Sequence, residues 1–430
     1  MTTSDTRPGG RQVIVWAFYD WANSAFATTV LAGFFPLFFK KYWSAGSDVT
    51  VSTFQLGVAN AAASLVVAIL APILGAIADR SGARKRYLLL FAGMGIVMTG
   101  SLALVGAGQW PMAVGIYLFA LIGFSGSNLF YDALILDAAP HGRIDRVSTF
   151  GFALGYLGGG VLFSFNVALT LWPESFGLAD ATAAVKVSFV SVAIWWALFS
   201  LPLLFFFREI PLSDRVGGWA AVRSGFSQLA GTFRALRHMR VVFVFLLAYW
   251  LYIDGVHTII RMAIDYGLAI GLEANDLIVA LLLTQFVGFP AALVFGRLGE
   301  RIGAKTAILI GLVIYVFVCI WGYSMRESWE FYVLAGLIGL VQGGVQALSR
   351  ALYARLIPAN KAGEFFGFYN MLGKFAAILG PLIMGVVSVA TGDPRLSILA
   401  IIVLFVAGGG LLLAVNESEG VEHAHALAQD

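Results

Sequence analysis

Gly75-Ala-Ile-Ala-Asp79-Arg80-Ser-Gly82-Ala-Arg84-Lys85-Arg86 is a short basic stretch between two long apolar runs. It has an echo, Gly296-Arg-Leu-Gly-Glu300-Arg301-Ile-Gly303-Ala-Lys305, also between apolar runs. Gly75 and Gly296, Asp79 and Glu300, and Gly82 and Gly303 are all offset by the same interval, about half of the 430-residue chain. A repeat of that period suggests one ancestral unit duplicated in tandem. Glycine suits the reversal of the chain at Gly82 and Gly303, and Gly75 and Gly296 let another helix come close. Asp79 or Glu300 can sit at the positive N-terminal end of a neighbouring helix or pair with an arginine. The stretch therefore reads as a tight turn that engages a neighbouring helix, built on Gly75, Asp79, Arg80, Gly82 and Arg84, with Gly296, Glu300, Arg301, Gly303 and Lys305 as the second copy. A plainer reading makes it a basic loop that only sets topology.

Working outward, the chain is 60% hydrophobic and only 12% charged, with a mean hydropathy of +0.86. Soluble domains carry about 25% charged residues, so this is an integral membrane protein with many spans. No signal peptide is evident in the polar start, Met1 to Gln12. Cys319 is the single cysteine, so no disulfide can form within the chain. No histidine and carboxylate set has metal-ligand spacing, and no phosphate-binding glycine loop precedes a Lys-Ser/Thr pair. No catalytic residue, cofactor, metal or nucleic-acid partner is expected.

A spanning helix needs about 20 apolar residues, and twelve such segments lie between residues 13 and 415. The expected fold is all-α, with two pseudo-symmetric six-helix bundles at 13–207 and 241–415. A tail (1–12), a linker (208–240) with a short surface helix near 219–236, and an acidic, disordered tail (416–430) complete the chain. Of the 27 Lys and Arg, twenty, with Arg350 and Arg355 among them, fall on one side of such a topology and five on the other. That asymmetry places both termini and the linker in the cytosol. Trp43, Trp110, Trp172 and Trp329 fall at the outer ends, where an interfacial aromatic belt lies. Gly151, Gly155 and Gly159 put small residues on one face of the fifth span, for close packing inside the fold.

Charges left inside the spans should face a cavity or one another, since each costs about 2.5–3.5 kcal/mol at the bilayer centre. Helical spacing aligns Asp20, Asn23 and Ser24 in the first span, and Ser125, Asn128 and Asp132 in the fourth. It aligns Asp254, His257, Arg261 and Asp265 in the seventh, within an arc of about 80°. Gln342, Gln346, Ser349 and Tyr353 share a face of the tenth, and Asn370 and Lys374 one of the eleventh. The candidate substrate or proton-coupling residues are thus Asp20, Asn23, Asp132, Asp254, His257, Arg261, Gln342, Gln346, Asn370 and Lys374. Asp254 reads as the coupling or ammonium-binding carboxylate, with Arg261 as its neutraliser or a carboxylate receptor and His257 tuning the pair. Alternatively they form an internal salt bridge that lets the helix sit in lipid. Asp137 reads as a helix-end charge, and Lys374 as a base needing an acid, with Asp132 and Asp20 the first candidates.

The pattern Gly-x-x-x-Asp-Arg-x-Gly-x-Arg at Gly75–Arg84 resembles the loop signature of the major facilitator superfamily, and the resemblance implies that this stretch and its second copy are a gating loop, with Asp79 holding the inner gate. Three strings narrow the resemblance: Tyr19 to Ala27 (YDWANSAFA), Gln346-Ala-Leu-Ser-Arg350, and Gly367 through Lys374 to Pro381. With Asp254-Gly255, they resemble the bacterial relatives of the fungal vacuolar amino-acid effluxers linked to autophagy. Ile253 and Asp132 stand where that family often has asparagine, so Asp132 adds negative charge. The resemblance implies secondary transport, with amino-acid efflux as its substrate and direction. A sugar or drug transporter, or a lipid-translocating member of the same fold, stays open beside it. The expected partners are a small solute, a proton and the lipid bilayer, for a monomer in a bacterial cytoplasmic membrane. The base asymmetry predicts that cysteines placed at Ser81 and Ala304 react only with a reagent applied from the cytosolic side. Labelling from outside intact cells would overturn this topology.

Overall fold

The computed structural model describes residues 10–44, 49–140, 142–210, 239–376 and 379–429. Arg80, Arg261 and Asp265 lie outside its described side chains, and the expected linker helix near 219–236 lies outside the described residues. Among the described residues, all regular structure is helical. The helix α1 (Gly10–Ala25) continues through wide π turns at Phe26–Phe34 and Phe39–Trp43. There follow α2 (Val49–Ser81), α3 (Arg84–Ser101), α4 (Trp110–Ala133), α5 (Ile144–Leu171) and α6 (Ala181–Phe206). The second stretch holds α7 (Arg240–Ala269), α8 (Ala274–Ile302), α9 (Ala304–Ser324) and α10 (Ser328–Leu356). It ends with α11 (Ala362–Phe375), α12 (Leu379–Thr391), α13 (Pro394–Ala400), α14 (Ile402–Leu413) and α15 (Glu417–Gln429).

Among the described residues, ten helices are long and apolar enough to cross a membrane. Their outward side chains agree with that: Phe205, Val313 and Val403 are each about two-thirds exposed, which lipid tolerates and water does not. Helices suit this medium because they satisfy their own backbone hydrogen bonds. Local sequence sets several ends. Asp180 accepts from the Ala183 amide at 2.7 Å to start α6, and Glu327 and Glu330 form a reciprocal capping box at the start of α10. Gly82 and Gly303, at φ +59° and +87°, turn the chain into α3 and α9 in a conformation that a side chain would strain.

The N-terminal helices α1–α6 meet the C-terminal helices along two seams, α2 against α11 and α5 against α8, with α10 also on α5. Gly75 makes the first seam possible. A Cβ there would overlap the backbone carbonyl of Gly363, and backbone cannot move aside as a flexible side chain can. The glycines of α5 do the same for α1: Cβ atoms at Gly151, Gly155 and Gly159 would strike Trp16, Ser24 and Thr28. The small-residue stripe is therefore used inside the fold.

Three expectations need correction. The eleventh span is not one helix: α11 ends at Phe375 and α12 starts at Leu379. Pro381 has no N–H and its ring crowds the preceding turn, which favours an interruption on its N-terminal side. Trp43 is not interfacial; it is fully buried, stacked on Phe189 and against Phe35 and Phe38. Nor is the acidic tail disordered. In α15, Gly420 rests on Leu356 and Val241, Ala424 is buried, and Glu417 pairs with Arg355 at 2.8 Å. Small residues four apart give that helix a face flat enough to dock, despite its low overall hydrophobicity.

The Gly75 contact yields a direct check. Gly75→Val should destabilise the protein by about 1–3 kcal/mol through overpacking, seen as a lower Tm. Gly115→Ala, where nothing lies within 4 Å, should leave the Tm unchanged.

Candidate functional site

The α10 stripe carries Gln342, Gln346 and Arg350 at four-residue intervals, and Arg350 is where the buried polar groups converge. Counting it among cytosolic loop bases is wrong: its side chain is only 3% exposed. Nε donates to Ser148 Oγ at 2.9 Å, Nη2 to the Ser148 carbonyl at 2.9 Å, and Nη1 to Asp132 Oδ1 at 3.0 Å. The guanidinium also lies 5.0 Å from the Trp16 ring, 5.2 Å from Tyr131 and 4.6 Å from Phe152, a cation–π box. Asp132 Oδ2 accepts from Asn370 at 3.1 Å. Asp20 accepts from Ser24 at 3.2 Å and from Tyr131 at 3.3 Å. Asn23 donates to Asn128 in a close contact. The Ser148 hydroxyl donates to the Ala347 carbonyl at 2.7 Å. The fold thus unites Asp20, Asn23, Asp132 and Asn370 from the expected set, and adds Arg350, Ser148 and Tyr131. Asp132 is paired with Arg350, and Lys374 lies one turn beyond Asn370 on α11. Gln342 is buried, and Gln346 half-buried, on the same face of α10.

The seventh helix builds a second centre. Asp254 is fully buried. Its Oδ1 accepts from the Gly380 amide at 2.9 Å and from Thr258 Oγ1 at 3.3 Å. Gly380 is the second residue of α12, so the carboxylate sits at the positive end of the restarted helix. His257 is half-buried on the same helix. Beside the helix break, Trp250, Leu372, Phe375 and Leu379 line an apolar cavity of about 270 Å³.

A third group clamps the face that carries both Gly10 and α15. Asp79 Oδ1 and Oδ2 accept from the Gly363 and Glu364 amides at 2.9 and 2.8 Å, at the start of α11. Arg84 Nε binds Asp79 at 2.7 Å, Nη1 approaches Asp137 at 3.6 Å, and Nη2 donates to the Ala359 carbonyl at 3.2 Å. Asp79 therefore both caps a helix of the other half and holds an arginine. Asp137, in the four-residue helix Ile135–Ala138 that follows the end of α4, is buried, and burial pushes its carboxyl up to about 6 against the pull of Arg84. Burial likewise raises Glu209, which lies near Arg84 and Lys85. Lys85 donates to the Phe207 carbonyl at 2.7 Å.

The second copy of the loop works differently. Glu300 pairs with Arg146 at 2.6 Å across the other seam, where the arginine is 54% exposed. Gly296 lies against Thr149, while Arg301 is exposed in the last turn of α8. Lys305 donates to the carbonyls of Leu413 and Val415 at 2.7 and 2.9 Å. Arg355 of α10 joins Asp145 of α5 at 2.5 Å and Glu417 at 2.8 Å. An open cleft of about 500 Å³ lies between these ion pairs.

Residues 42–141 and 136–425 match the family described as vacuole effluxer Atg22 like. The chain is 38% identical over 415 residues, 95% of each chain, to an uncharacterized MFS-type transporter, YxiO, of Bacillus subtilis (strain 168). It is 27% identical over 314 residues to autophagy-related protein 22 of Yarrowia lipolytica, 66% of this chain and 52% of that one. It thus spans about half the length of that fungal relative. Its fold is similar to the human organic anion transporter MFSD10, with a TM-score of 0.73 at 16% identity over 94% of this chain and 99% of that one. It is also similar to the proton:xylose symporter XylE, with a TM-score of 0.70 at 15% identity over 97% of each chain.

The Asp79 geometry sets an expected outcome. Asp79→Asn keeps one acceptor for the start of α11 but removes the charge that holds Arg84, so the protein folds and its seam loosens. Spin labels at Arg86 and Asn360, both exposed on this face, should show a longer and broader distance distribution. An unchanged distribution would reduce the loop to a topology signal.

Proposed function

Because the chain belongs to the Atg22-like vacuole-effluxer family, within the major facilitator superfamily of transporters, we propose that it is a secondary active transporter of amino acids. It exports them by alternating access of two six-helix bundles, coupled to protons. The observation that carries this reading is the Arg350 cluster. In a chain with few charges, it gathers acids, amides and a guanidinium from α1, α4, α5, α10 and α11 at the junction of the two halves. Binding sites of such carriers lie between the halves, and charged groups within spans mark substrate and ion paths. Both ends of an α-amino acid find matching chemistry there. The loop residues Asp79, Arg84 and Glu300 act as the gate on the basic face, which is the cytosolic one. The protein acts as a monomer in the bacterial cytoplasmic membrane.

Asp254 is the coupling carboxylate in this scheme. Ionised, it holds the start of α12; protonated, it loses the charge that favours that helix end. Proton binding would then free α12 to shift against α7. His257 lies on α7 one turn from Asp254, and Lys374 lies on α11 one turn from Asn370.

Purified protein in liposomes tests the reading, with a pH gradient and a panel of labelled amino acids, sugars and organic anions. Amino acids should accumulate against their gradient when the pH difference is imposed. Asp254→Asn should abolish that accumulation and retain amino-acid exchange. Accumulation at the parental rate in the variant would remove Asp254 from coupling, and movement of sugars alone would overturn the substrate.

A further inference from the structure

Every described partner of Arg350 belongs to the opposite half of the protein. Its hydrogen bonds go to Ser148 of α5 and Asp132 of α4, and the rings around it come from α1, α4 and α5. The reverse holds for Asp132, whose partners are Arg350 of α10 and Asn370 of α11. Opening this side of the protein must part these helices. The move strands a guanidinium and a carboxylate together, and a buried charge that loses its partner is strongly unfavourable. Water entering the gap would relieve only the exposed faces of the two groups. A solute with both charges can replace each partner.

The two groups are unequally accessible. Asp132 is 13% exposed and Arg350 3%, so an arriving solute meets the carboxylate first. Asp20 and the Tyr131 hydroxyl, joined at 3.3 Å, stand beside it. Arg355 is engaged with Asp145 and Glu417, so it does not compete for Asp132. Lys374, one turn beyond Asn370, adds positive charge on the α11 side.

We propose that Arg350 and Asp132 form a lock between the halves that a zwitterionic solute opens by substitution, its ammonium group taking Asp132 and its carboxylate taking Arg350. This rests on the amino-acid reading above and assigns the solute's two charges to two residues. A compound with one charge leaves the other residue stranded and does not open the lock. The empty protein closes again on its own ion pair, so exchange of solute outpaces net movement. The planar guanidinium receives the carboxylate through two parallel N–H groups, which a lysine cannot supply.

Cysteine labelling tests the lock. Ala347 is fully buried at the seam, with its carbonyl bound to Ser148. Ala347→Cys in a Cys319→Ala background therefore reacts with a maleimide only when the seam opens. The probes are leucine, leucinamide and isocaproate, or the same triad built on the amino acid that the liposome panel moves fastest. The zwitterion should raise the labelling rate at least about fivefold, the low end of typical coupling between sites, and the two singly charged analogues should leave it unchanged. Arg350→Met with Asp132→Asn substitutes neutral side chains of similar size, which a fold commonly tolerates. That pair should label fast without any solute. Labelling by the amide as fast as by the zwitterion overturns the lock while amino-acid transport stands, as does a folded double variant that labels at the parental rate. If the double variant fails to fold on gel filtration, the three-probe comparison in the parent decides alone. Liposomes that move no amino acid overturn the amino-acid reading and the zwitterion with it.

Discussion

A guanidinium buried among apolar helices must be paired, and the organisation of this protein follows from where Arg350 finds its partners. It finds them across the junction: a carboxylate, a serine with its backbone carbonyl, and three aromatic faces. The interaction is therefore also a tie between two sets of helices. Ionic interactions inside an apolar medium are strong when intact and unfavourable when broken on one side only. Such a tie behaves as a two-state element rather than a flexible tether.

The other ties between the halves lie on the same face and use different physics. Asp79 binds the unsatisfied amides at the start of α11, a site that every helix offers and that a carboxylate fills well. Glu300 and Arg146 form a partly solvated pair, which contributes little by itself. Arg355 couples Asp145 to the C-terminal helix through Glu417. The face is thus held by one buried cap, one buried ion pair and two pairs nearer the solvent. Ordering by burial is also ordering by how much each resists separation.

The repeat of the basic loop is legible in the sequence, and so is its local geometry: the turns at Gly82 and Gly303 and the close approach at Gly75. Its two copies nevertheless do different work. The two copies share one sequence pattern, but the partner of each acid is set by which helix the opposite half presents. Asp79 meets a helix start, and Glu300 meets an arginine side chain. Among the polar groups, helical spacing brought Asp20, Asn23, Asp132 and Asn370 into view. It missed Arg350, because counting bases by their nearness to a span's end assigns it to a loop. The four-residue step from Gln342 through Gln346 to Arg350 was the available signal.

The composition and the hydrophobic runs determined by themselves that this is a many-span helical membrane protein. Those properties are local: each span is decided by its own residues against the bilayer. Partnership is not local. Asp254 holding the restarted helix at Gly380, α15 docking through Gly420 and Ala424, and Arg350 reaching Asp132 all join residues far apart in the chain. Only the tertiary structure decided these, because a buried charge takes the partner that packing brings within hydrogen-bond distance, and spacing along a single helix carries no record of it.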